Sequence, residues 1–220
     1  MQKSYGEKTG EPPEYIKIVK SEEKTLVSDE KTGSKAIVPV QADKNHSFEV
    51  VEIDGGLITG LPDEKHICDT LIFSLDTKVQ GLQITWLIEL KGTKNTEKVE
   101  HAITQIVESI GYLNDSVKYP AASKYLKQRD YVFAAVAGAP DKTLPVINNE
   151  AVKKLCKRLN AMCGRRKEIK DMFALFCYIK PNKRNGKVTC SGSKPPYEIL
   201  CSAGKEGYIS YPSMLLKLLK

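Results

Sequence analysis

The chain has 220 residues, 41% of them hydrophobic and 28% charged, enough for one sizeable core and too few for a multidomain machine. With 7% aromatic residues besides, that balance excludes disordered, collagen-like and coiled-coil architectures. Charge is uneven: residues 1–46 hold 8 basic and 8 acidic groups, 47–125 hold 7 and 12, and 126–220 hold 19 and 7. An acidic middle joined to a basic C-terminal part suits a metal-using, polyanion-binding protein and equally a lysine-rich solvated surface.

No apolar run reaches the roughly 18 residues of a membrane span, and residues 1–20 lack an apolar signal-peptide core. The expectation is a cytoplasmic protein that does not engage membranes. Cys68, Cys156, Cys163, Cys177, Cys190 and Cys201 are scattered and form no C-x-x-C pair, so they read as reduced thiols. A zinc site from Cys190, Cys201 and a histidine would lack the usual closely spaced ligand pairs.

The first 46 residues are polar, with turns at 10–13 and 21–24, and segments 25–27 and 36–40 flank Asp29-Glu30-Lys31-Thr32-Gly33 as a hairpin. Residues 48–58 are β-like, with a bulge or close backbone approach at Gly55-Gly56. Segments 67–75 and 82–90 follow after turns, giving an antiparallel meander whose last two strands are apolar on both faces and therefore central. The period then changes: Val99, Ala102, Ile103, Ile106, Val107 and Ile110 mark an amphipathic helix that starts near Asn95 or Thr96 and stops near Gly111. A buried strand is expected over 131–137, a helix over 149–164, a strand over 173–179, weaker strands over 188–200 and a short helix over 211–219.

Chemistry concentrates at the end of the apolar segment Ile84-Thr85-Trp86-Leu87-Ile88-Glu89-Leu90-Lys91. Residues two apart share one face of a strand, so Glu89 and Lys91 project together. Asp69 is the one charge among apolar neighbours on the preceding strand. Burying a carboxylate is costly unless it is compensated, by Lys91 in a structural ion pair or by a divalent cation. His46, His66 and His101 form no catalytic or ligand pattern and read as ordinary polar residues. Asp54 reads first as a strand-end group bonded into the Gly55-Gly56 bulge, and no Gly-rich phosphate loop is present.

A strand with Asp69, a strand ending Glu89-Leu90-Lys91-Gly92, an amphipathic helix and a further strand over 131–137 together resemble the catalytic core of the PD-(D/E)XK nuclease superfamily, across about residues 48–140. The stretch Val51-Glu52-Ile53-Asp54-Gly55-Gly56-Leu57-Ile58, followed by Cys68-Asp69, looks like that of its small stand-alone bacterial members. The resemblance implies an α/β (α+β) protein with a restriction-endonuclease-like core, a central mixed sheet flanked by helices. It divides the chain into a polar extension over 1–46, a nuclease core over 47–140, and basic elements over 141–220 packed on the same domain.

The activity so implied is Mg²⁺- or Mn²⁺-dependent hydrolysis of phosphodiester bonds, with DNA as the expected substrate and an endodeoxyribonuclease as the enzyme class. Asp69, Glu89 and the Leu90 backbone carbonyl would hold one or two cations, which bind phosphate oxygens. Lys91 would orient the attacking water, deprotonate it, or neutralise developing charge. Two departures stand out: Cys68 replaces the proline before the metal-binding aspartate, and Gln105 on the helix is followed four residues later by Ser109 rather than by the tyrosine of some relatives. Gln105 is thus an active-site accessory or an ordinary helix-flank group.

Phosphate contacts need positive charge without fixed sequence, which Arg165, Arg166 and Lys167, with Lys183 and Arg184, supply. The basic cluster Lys153, Lys154, Lys157 and Arg158 reads first as a solvated helix face. A homodimer fits cutting of both strands, although no interface is legible. The alternatives to an enzyme are a non-catalytic nucleic-acid-binding module and a subunit of a larger defence or repair complex.

Overall fold

The computed structural model describes residues 12–28, 35–62, 66–75, 83–92, 96–126, 129, 131–139, 173–181, 186–193, 197–202 and 206–220. The helix expected over 149–164 and the basic residues Arg165, Arg166, Lys167, Lys183 and Arg184 lie outside them. The described strands are β1 (Ile16–Val19), β2 (Lys24–Ser28), β3 (Ile37–Ala42), β4 (Phe48–Glu52), β5 (Thr70–Ser74), β6 (Ile84–Lys91), β7 (Tyr131–Gly138), β8 (Phe173–Pro181), β9 (Thr189–Ser191), β10 (Tyr197–Cys201) and β11 (Ile209–Tyr211). The described helices are α1 (Thr96–Asn114), α2 (Pro120–Ser123) and α3 (Ser213–Lys217).

The protein is a mixed α/β structure built on one large mixed sheet, ordered β1-β4-β5-β6-β7-β8-β10-β9. β4, β5 and β6 form the expected antiparallel meander, and β6, β7, β8 and β10 then run parallel. A three-stranded sheet, β11-β3-β2, is the second sheet. Its hairpin matches the expected pairing of 25–27 with 36–40.

Why β5 and β6 are apolar on both faces follows from the layers. One face, with Leu71, Leu87 and Val132, packs against Val99, Ala102, Ile103, Ile106, Val107 and Ile110 of α1. The other, with Ile72, Trp86 and Phe133, packs against Val27, Val38 and Val40 of the small sheet and against Tyr211. A strand covered on both sides loses the polar alternation of a half-exposed one. Full burial of each such side chain is worth about 1.5–3 kcal/mol relative to exposure. Tyr211 ties the layers together, its hydroxyl donating to the Ile84 carbonyl at 2.9 Å and sharing a 3.0 Å bond with Ser74 Oγ.

Several boundaries differ from expectation. β1 occupies residues of the polar extension for which no strand is expected: it is a four-residue edge strand, with Ile18 43% exposed, so its alternation is too short to register. The strand expected over 48–58 ends at Glu52, and the chain turns through Gly55 at φ +72, with Asp54 exposed and bridged to Ile58. A positive φ suits glycine, which lacks a Cβ. α1 continues past Gly111 to Asn114, because Leu113 is fully buried and outweighs the roughly 1 kcal/mol cost of a helical glycine. Tyr211 belongs to β11 rather than to the terminal helix, which starts at Ser213.

No helix among the described residues is long and apolar enough to cross a membrane. Cys68, Cys177, Cys190 and Cys201 are free thiols.

Candidate active site

Antiparallel pairing of β5 with β6 sets the start of one strand beside the end of the other. The register Thr70↔Ile88 makes position 69 opposite 89 the next pair outward. Asp69 therefore stands immediately before β5 and not within it, and meets Glu89 and Leu90. Its backbone N–H donates to Glu89 Oε2 at 3.2 Å, and its Oδ2 accepts the Leu90 N–H at 2.6 Å. Each carboxylate is thus held by the backbone of the opposing strand.

Residue parity puts Glu89 and Lys91 on the α1 face, with Leu87. Glu89 is fully buried, whereas the Lys91 side chain keeps 19% exposure. Burial first, and the Asp69 charge second, push the Glu89 carboxyl up from the ordinary 4.5 to about 8, against the opposing pull of Lys91. Lys91 Nζ donates to Glu89 Oε1, closing the expected ion pair, and to Gln105 Oε1 at 2.8 Å.

Gln105 is 8% exposed and belongs to the site's hydrogen-bond network rather than to a solvated helix flank. Its Nε2 donates to the Ile67 carbonyl at 3.1 Å. One turn further, Ser109 Oγ accepts the Cys68 N–H at 2.7 Å and donates to the Gln105 carbonyl at 2.8 Å. On the other side the Ile53 N–H donates to the Asp69 carbonyl at 2.9 Å. The segment leading into Asp69 is clamped between α1 and the end of β4. Cys68 itself is buried, and burial raises its thiol well above the usual range, so it stays neutral and plays a packing role.

His101 escaped the sequence reading. Its Nδ1 lies 3.0 Å from Gln105 Oε1, and its ring meets that of His66 edge-on at 5.0 Å between centroids. The signal was a polar row, His101, Gln105 and Ser109, recurring every four residues along the edge of the helix's apolar stripe, exposed at His101 and buried at Gln105 and Ser109. Asp54 sits on an exposed turn. The proposed phosphate-binding residues Arg165, Arg166, Lys167, Lys183 and Arg184 have no described positions.

The donors present suit a hard cation. Two carboxylates and a strand-end carbonyl are oxygen ligands of the kind Mg²⁺ takes, with water or phosphate filling the remaining positions. The N–H and C=O of one strand residue point to the same side, so the Leu90 carbonyl leaves β6 on the side of Asp69, as its N–H does. Among the described residues no group of three or more His, Cys, Asp and Glu side chains is placed to hold a metal. A cation here would therefore depend on the backbone and on substrate oxygens.

Comparison with protein-family models, with curated proteins and with solved structures finds no match for this chain. The site's chemistry rests on its own geometry.

Proposed function

We propose that the protein is a Mg²⁺- or Mn²⁺-dependent nuclease that hydrolyses phosphodiester bonds in DNA. The observation that carries this reading is Glu89, a buried carboxyl beside Asp69 with its charged form disfavoured by burial and by that neighbour. Such a pair is costly in an apolar sheet unless a cation joins it. A divalent ion would supply Lewis-acid stabilisation of a phosphoryl oxygen and acidify water. Asp69 and Glu89 would hold it together with the Leu90 carbonyl.

The chain's own residues define the rest. Lys91, gripped by Glu89 and Gln105, keeps one of its three N–H bonds for a phosphoryl oxygen or the attacking water. The partly exposed Lys91 side chain beside the buried Glu89 carboxyl and the half-buried Asp69 gives the site a solvent-facing cationic edge, where a phosphodiester would lie. The meander, α1 and parallel β7 support a restriction-endonuclease-like arrangement of this core. A second reading has its own support: the Lys91–Glu89 contact gives the buried carboxyl a hydrogen-bond partner without metal, as a non-catalytic nucleic-acid-binding protein would need.

Pure protein incubated with plasmid, linear duplex, single-stranded DNA and RNA, in Mg²⁺, Mn²⁺ or EDTA, separates the two. Cleavage of DNA with either metal and none in EDTA is the expected result. Binding without cleavage under every condition would assign the ion pair a structural role and end the enzyme reading.

A further inference from the structure

The amide of Gln105 fixes more than its own position. Its nitrogen must face the Ile67 carbonyl, since a flipped amide would set two oxygens against each other and turn an N–H toward the Lys91 ammonium. Oε1 is then an acceptor for two donors, Lys91 Nζ at 2.8 Å and His101 Nδ1 at 3.0 Å. An acceptor oxygen requires a proton on the ring nitrogen that meets it, so the neutral His101 ring that fits this contact is the Nδ1–H tautomer. The His66 ring meets His101 edge-on from the side of the 66–69 segment, both rings being solvent-exposed.

We infer that His101 is a positioning residue of this site: as the Nδ1–H tautomer it locks the Gln105 amide oxygen onto the Lys91 ammonium and so sets the direction of the remaining Lys91 N–H. This rests on the nuclease reading for its consequence, though not for its geometry. The histidine and the lysine converge on one oxygen from opposite ends, the histidine from one helical turn before Gln105 and the lysine from the end of β6. Loss of the histidine leaves the amide held by Ile67 and Lys91 alone, free to rock about the Ile67 bond.

Two measurements on the full chain test it. In protein labelled with ¹⁵N-histidine at pH 8, long-range ¹H–¹⁵N correlation reports which ring nitrogen carries the proton. The Nδ1–H form is expected in the parent, reverting in Gln105→Met to the Nε2–H form that an unconstrained histidine prefers. The Lys91 Hζ–Nζ signal should lose exchange protection in His101→Ala and His101→Phe and keep it in His101→Asn, whose amide N–H replaces Nδ1–H. Cleavage should follow: kcat about five- to tenfold lower in the alanine and phenylalanine variants, the effect of one hydrogen bond, with KM changed less than about twofold and the asparagine variant within about twofold of the parent.

Thermal unfolding confirms that each variant folds. An Nε2–H tautomer in the parent, or a Lys91 signal indifferent to residue 101, overturns the inference. So does full activity in His101→Ala. A parent that cleaves nothing removes the nuclease reading while the tautomer and the lysine signal still decide the positioning.

Discussion

Asp69 and Glu89 restrain one another reciprocally: the Asp69 N–H binds the Glu89 carboxylate, and the N–H of Leu90, next to Glu89, binds the Asp69 carboxylate. Strand pairing creates this cross-over. The last ladder pair of β5 and β6 ends at Thr70 and Ile88, so the backbone donors one step further turn to side chains. The backbone donors favour the charged form and offset part of the repulsion between the two groups, although at Glu89 burial and the Asp69 charge outweigh them.

Replacing Asp69 or Glu89 by alanine should lower cleavage on the order of 10²-fold or more and weaken Mg²⁺ binding. Lys91→Ala should lower the rate comparably but leave Mg²⁺ affinity largely intact, because the lysine is not an oxygen ligand. Single-turnover rates and metal titrations on all three variants check the distinction. Parental cleavage in any one of them would move that residue out of the site.

The raised Glu89 carboxyl predicts a pH-dependent stability in EDTA. Below the ordinary 4.5 the group is protonated in both folded and unfolded chains, and its contribution is fully present. Between 4.5 and the folded value of about 8, the unfolded chain has released a proton that the folded chain retains. Stability is therefore lost across that window, by at most about 1.4 kcal/mol per pH unit. Melting temperatures between pH 5 and 8 should fall in the parent more steeply than in Glu89→Gln. Added Mg²⁺, favouring the ionised form, should reduce the parent's slope.

Much of this architecture was legible in the residues. The apolar runs of the meander, the 3.6-period stripe of α1 and the charges at positions 89 and 91 needed only local pattern and lie on the elements expected, while Asp69 falls one residue before its strand. What escaped depends on partners far along the chain. β1 is recognisable only from its pairing with β4, and β11 only from its pairing with β3 some 170 residues earlier in the chain. Tyr211 pairs with Ala42 across sheet β11-β3, and its apolar neighbours Leu215 and Leu218 suggest a helix until that pairing is seen. The roles of His101 and Ser109 were hidden differently. A polar row identifies them as unusual, but the Cys68 N–H that Ser109 accepts and the Ile67 carbonyl that fixes the amide facing His101 appear only when the 66–69 segment is laid along α1.

The basic C-terminal part carries a net charge of +12 over residues 126–220, and it should supply much of the affinity for nucleic acid. Changing Arg165, Arg166 and Lys167 to alanine should weaken binding at all sequences alike. Each lost phosphate contact should reduce the slope of log affinity against log salt by about one. Fluorescence anisotropy on a labelled duplex across a salt series measures both. An unchanged slope would assign these residues to the solvated surface.

Ser109 offers a test of how the helix holds the site. It is fully buried, and its hydroxyl is the described acceptor of the Cys68 N–H. Ser109→Ala removes that acceptor from a site water does not reach, and an unsatisfied buried donor costs about 1–3 kcal/mol. For a chain of this size that corresponds to a melting point lower by roughly 2–12 °C. The damage should spread beyond stability, because Cys68 precedes Asp69: the carboxylate loses one of the clamps that aim it at Leu90, and Mg²⁺ affinity should fall while Gln105 keeps its bond to Ile67. Ser109→Thr restores the hydroxyl and should recover the metal affinity, even where its extra methyl group strains the packing. Unfolding and Mg²⁺ titration on the two variants separate a general loss of packing from loss of the clamp. Equal metal affinity in Ser109→Ala and the parent would show that Asp69 is aimed by the strand ends alone.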